Sequence, residues 1–85
     1  PVISRFYGIV VKMYFNDHPP PHFHAEYGGE EILVGIESLS VIAGQMSPRA
    51  TGMVIEWPSQ HQDELRHQWE QARNQQPLGR VDPLR

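Results

Sequence analysis

The chain has 85 residues, 39% of them apolar and 20% charged, with a formal net charge of -3 and no cysteine. That length holds one core and no second one, so the expected unit is a single domain, 1–85, of modest stability. Disulfides and thiolate metal sites are excluded, and seven cations leave room for only a small nucleic-acid footprint. No apolar run approaches the roughly 20 residues of a membrane span, and the first residues lack the pattern of a signal peptide, so the cytoplasm is the expected compartment.

In chain order, Tyr7 to Phe15 alternates: Tyr7, Ile9, Val11, Met13 and Phe15 take one face and Gly8, Val10, Lys12 and Tyr14 the other. This period of two predicts a strand with one buried face. Asn16-Asp17-His18 and three consecutive prolines then end it, because proline cannot donate to a ladder.

His22 to Tyr27 and Glu30 to Ile36 flank Gly28-Gly29, a dipeptide suited to a two-residue hairpin turn. The turn sets the register. It pairs Ala25 with Ile32 and Phe23 with Val34 on the core face, and His22 with Gly35, His24 with Leu33 and Glu26 with Glu31 on the other. Two glutamates face to face repel unless a cation sits between them.

Ser38 to Ala43 reads as a short fourth strand ending at Gly44. Ser47-Pro48 starts a helix, with serine as N-cap and proline in the first turn. Met53, Val54 and Trp57 form its apolar stripe, and Pro58 ends or kinks it. Ser59 and Gln62 suggest a capping box for a second helix whose stripe is Leu65, Trp69 and Ala72. His61 stands one turn before Leu65, and Arg66 with Glu70, or Glu70 with Arg73, stands at ion-pair spacing. The expected architecture is α+β: a three- to four-stranded antiparallel sheet (about 5–43), two helices on one face (about 47–75) and an extended tail (76–85) that docks through Leu78, Val81 and Leu84.

The residues that carry chemistry lie in Asp17-His18-Pro19-Pro20-Pro21-His22-Phe23-His24. On a strand, His22 and His24 share a face with Cα atoms about 7 Å apart, close enough for two imidazoles to converge on one divalent ion such as zinc. Glu26 shares that face but lies about 13 Å from His22, too far to join the same ion. The third ligand must come from His18 or Asp17 folding back over the prolines, or from a partner chain. The metal candidates are therefore His18, His22 and His24, with zinc or a similar divalent ion as cofactor. Asp17, Glu26, Arg5 and Tyr7 are further binding candidates; Ser4-Arg5-Phe6-Tyr7 joins a cation to aromatics, as RNA-contacting surfaces do. The competing expectation is that the histidines only dress the solvent face of a hairpin.

Ile3-Ser4-Arg5-Phe6-Tyr7-Gly8-Ile9-Val10-Val11-Lys12-Met13-Tyr14-Phe15-Asn16-Asp17-His18, followed by Pro20-Pro21-His22-Phe23-His24-Ala25-Glu26-Tyr27-Gly28, resembles the family designated domain of unknown function 4160. Glu56-Trp57, His61-Gln62-Asp63-Glu64-Leu65, Trp69, Ala72-Arg73-Asn74 and Pro77-Leu78 resemble its helical half. Pro58 departs from it, standing where a helix-compatible residue is more typical. The resemblance implies a small bacterial protein, often encoded beside another small protein (domain of unknown function 2442), in an arrangement like a toxin–antitoxin pair. It transfers no activity. The leading expectation is therefore an interaction or regulatory module that associates with a small partner protein or with itself; the alternative is a metal-binding, hydrolytic or nucleolytic site on the His18–His24 hairpin.

Overall fold

A computed structural model describes residues 1–85. Five strands form one antiparallel sheet in sequential order: β1 (Val2–Phe6), β2 (Ile9–Lys12), β3 (His22–Tyr27), β4 (Glu30–Gly35) and β5 (Val41–Gly44). Two helices follow, α1 (Pro48–Ser59) and α2 (Gln62–Arg73). The α+β class holds, with five strands in place of three or four.

The additional strand comes from Tyr7-Gly8, which closes a two-residue hairpin between Phe6 and Ile9. Both turn residues have positive φ, 51° and 82°. Glycine accepts that conformation freely and tyrosine rarely does, so the turn carries no sequence mark at its first position. The expected strand from Tyr7 to Phe15 is thus shorter: Ile9, Val11 and Met13 are buried, while Tyr7 and Phe15 are exposed.

The β3–β4 hairpin pairs as its glycine turn dictates. Phe23 faces Val34, Ala25 faces Ile32, His24 faces Leu33 and Glu26 faces Glu31. Phe23, Ala25, Ile32 and Val34 are all fully buried. Glu26 is relieved of its like-charged neighbour by Lys12, whose ammonium lies 3.0 Å from the carboxylate.

Trp57 of α1 joins helix to sheet, its ring centroid 5.4 Å from those of both Phe6 and Phe23. Leu65, Trp69 and Ala72 bury the stripe of α2. Val81 and Leu84 are buried too; the Val81 amide donates to Ile3 O at 2.8 Å, and Trp57 Nε1 donates to Asp82 O at 2.7 Å. Val81 thus reaches β1, Asp82 reaches α1, and the Gly79 amide donates to Gln68 Oε1 of α2 at 3.2 Å. The opposite edge strand, β5, has Val41 and Ile42 40% and 45% exposed.

The helix junction differs from the expected capping box. Pro58 lies inside the last turn of α1, and the Ser59 hydroxyl donates back to Glu56 O. His61 occupies the N-cap of α2 without a side-chain cap, and Gln62 donates to Ile36 O. Arg66 pairs with Glu37 through two hydrogen bonds, 2.7 and 2.9 Å, and with Asp63 at 2.7 Å, while Glu70 pairs with Arg73 at 3.7 Å. The guanidinium thus serves one carboxylate across the fold in bidentate fashion and a second one along its own helix. No helix is long and apolar enough to cross a membrane.

Candidate metal centre

Strand β3 projects His22 and His24 to one side, as alternation requires. Their surroundings differ from the expected open face. His22 is only 5% exposed, because α2 crosses this end of the sheet and sets Trp69 against it, ring centroids 5.3 Å apart. Gly35 opposite His22 adds no side chain of its own. His24 is half-buried, with the Tyr14 ring edge-on at 4.6 Å.

The loop after β2 completes the group. Asn16 takes a left-handed φ of 57°, and its amide donates to Ala72 O near the end of α2 at 3.4 Å. This turns Asp17 back over the strand. Asp17 Oδ2 lies 3.0 Å from His22 Nε2 and 3.0 Å from His24 Nε2. Asp17 Oδ1 accepts the His18 amide at 2.8 Å. The three ligand atoms of Asp17, His22 and His24 lie within 4.8 Å of one another. Ligands about 2.0–2.2 Å from a zinc ion stand about 3.0–3.6 Å apart, and the two 3.0 Å separations from Asp17 Oδ2 reach that range.

The contacts of His22 show which of its nitrogens carries a proton. His22 Nδ1 lies 2.7 Å from Pro20 O. A carbonyl only accepts, so Nδ1 carries a proton, and in the neutral ring Nε2 is a bare lone pair aimed at the Asp17 carboxylate. Two acceptors at 3.0 Å need a cation between them, either a second proton on His22 or a metal ion. A ring nitrogen donating outward to a backbone carbonyl while the other faces inward is the usual dress of a metal-bound histidine. His24 has a looser version: its buried Nδ1 makes no hydrogen bond, with the Glu31 carboxylate 3.4 Å away and off line.

Asp17 is held below the ordinary carboxyl range. Burial alone pushes it up, but the hydrogen bond to His24, the His18 amide and the two nearby imidazoles outweigh that and favour the carboxylate. A charged oxygen is therefore presented at neutral pH.

Of the expected metal residues, the structure brings His22 and His24 together and leaves His18 exposed, with only its backbone at the group. Asp17 occupies the third place. Glu26 is engaged by Lys12. Arg5 is exposed on β1, and Tyr7 is exposed at the hairpin tip; neither approaches the histidines closely enough to form a bond or ring contact with them. Trp69, Glu31 and Tyr14 border the group unforeseen. Only Glu31 had a sequence signal, since the glycine turn places it diagonally across from His24.

The chain matches the family described as Domain of unknown function (DUF4160) over residues 8–70, about three quarters of its length. It belongs to that family. The matched span of this DUF4160 domain runs from the first hairpin turn into α2 and includes Asp17, His22, His24 and Trp69. No curated protein and no solved structure matches the chain.

Proposed function

We propose that this chain is a small metal-binding domain whose divalent ion is held by Asp17 Oδ2, His22 Nε2 and His24 Nε2. The observation that carries the reading is the orientation of His22: with Nδ1 committed to Pro20 O, its second nitrogen and the Asp17 carboxylate face each other as two acceptors. Two imidazoles and a carboxylate suit zinc, iron(II), nickel or manganese better than calcium, which takes oxygen donors. Metal analysis and calorimetry on the purified chain test it. One ion per chain, lost in His22→Ala and His24→Ala, is the expected result. Metal-free protein whose melting midpoint ignores added zinc refutes it.

A second reading, an interaction module that works with a small partner protein or a second copy in the manner of a toxin–antitoxin pair, is favoured by β5. This edge strand is exposed along its whole length, and residues 38–48 contain no charged side chain. Natural sheets usually guard such edges with charge or a cover. Light scattering after size exclusion decides it: a strict monomer whose elution is unchanged by candidate partners, for both the parent and Ile42→Lys, removes the reading.

A further inference from the structure

We infer that an ion held at this centre keeps at least one coordination position for a small exogenous oxygen or nitrogen donor, with water or hydroxide as its resting occupant. The inference rests on the metal-binding reading and adds the class of ligand.

The donors available to the ion number three. Asp17, His22 and His24 form the group, no other histidine or carboxylate joins it, and there is no cysteine. Asp17 turns Oδ2 to both imidazoles, while its Oδ1 accepts the His18 amide. Glu31 cannot serve as a fourth ligand where it stands: it approaches His24 at Nδ1, the nitrogen on the far side of the ring from the ion. Glu26 is tied to Lys12. Zinc takes four ligands when its role is structural and keeps a place open when three protein groups bind it; octahedral ions keep more.

The arrangement also says where that place opens. His22 is sealed beneath Trp69, whereas Asp17 and His24 retain partial access to solvent beside the exposed Tyr14. A donor enters on that side, and the space between a carboxylate and an imidazole suits a small neutral or singly charged molecule. The one nearby imidazole with no side-chain hydrogen bond is His18, next to Asp17 in the chain and directed to solvent. His18 is thus an internal competitor for the open place.

The test uses the full chain loaded with cobalt(II), with uptake measured first by metal analysis. Azide is then titrated while the visible d–d bands are recorded, in the parent protein and in His18→Ala. A saturable shift of the bands in both proteins is expected. Bound cobalt with bands unmoved by azide overturns the inference, as does a response confined to His18→Ala, which would show His18 closing the sphere. Failure to take up cobalt defeats the metal-binding reading itself and this inference with it; the uptake measurement tells that failure from the other two.

Discussion

Pro20 O and Asp17 Oδ2 address the two nitrogens of one ring, His22, at 2.7 and 3.0 Å. The carbonyl claims a proton at Nδ1, so the carboxylate meets whatever Nε2 carries.

Zinc should therefore stabilise the fold by mass action. A ligand present at one hundred times its dissociation constant adds about 2.7 kcal/mol. In a domain of this size that raises the melting midpoint by about 10 °C or more. Scanning calorimetry with and without zinc measures it, and the rise should vanish in His24→Ala.

Asp17→Asn keeps the shape of the side chain but removes the charged ligand oxygen. Zinc affinity should fall by more than about 100-fold, beyond the loss typical for outer-shell partners, with the far-ultraviolet circular dichroism unchanged. Calorimetric titration reads the loss. Glu31→Gln removes a charge 3.4 Å from His24 Nδ1 but no hydrogen bond, so it should cost less than about 10-fold.

The depressed ionisation of Asp17 makes stability depend on acid. A carboxyl whose folded pKa lies below its unfolded one contributes stability that is present above the unfolded value and lost as pH falls through the folded one. In metal-free protein the loss should appear below about pH 4. The groups facing Asp17 are His22, His24 and the His18 amide, with Glu31 behind His24. Urea midpoints against pH should show a shallower acid slope for Asp17→Asn than for the parent.

Two glycines with positive φ should respond differently to alanine. Gly29, at the tip of the β3–β4 hairpin, has open space where a Cβ would go, so Gly29→Ala should cost only the strain of its backbone, about 1 kcal/mol. Gly44 ends β5 against the backbone of Glu31 and Ile32, and a Cβ there collides with Glu31 O. Gly44→Ala should cost about 3 kcal/mol or more, since strain and a backbone shift add. Urea unfolding measures both.

Removal of residues 80–85 should strip Val81 and Leu84 from the core and leave Trp57 Nε1 without Asp82 O. Losing two buried aliphatic side chains costs about 3–5 kcal/mol. Tryptophan emission should shift to the red and the urea midpoint should fall.

Much of the fold was legible because its signals are local. Gly28-Gly29 determines the register of β3 and β4 through a turn of two residues, and Leu65, Trp69 and Ala72 mark the buried stripe of α2 by spacing alone. The first hairpin was not legible, since Tyr7 adopts a turn conformation that tyrosine rarely shows. Neither was the helix junction: Ser59 and Gln62 have the right spacing for a capping box, but Glu56 O and Ile36 O compete for the same side chains and win.

The histidine segment divides along the same line. Alternation along β3 determines by itself that His22 and His24 share a side and that Glu26 lies too far along to join them. Which residue meets them is a tertiary decision. Asp17 and His18 are neighbours with equal reach, and the difference arises where Asn16 ties to Ala72 O, turning the carboxylate inward and the His18 ring outward. The burial of His22 is likewise a product of α2, almost fifty residues away, bringing Trp69 over the end of the sheet. Pattern along one strand reports direction only; what a side chain meets depends on elements packed from elsewhere in the chain.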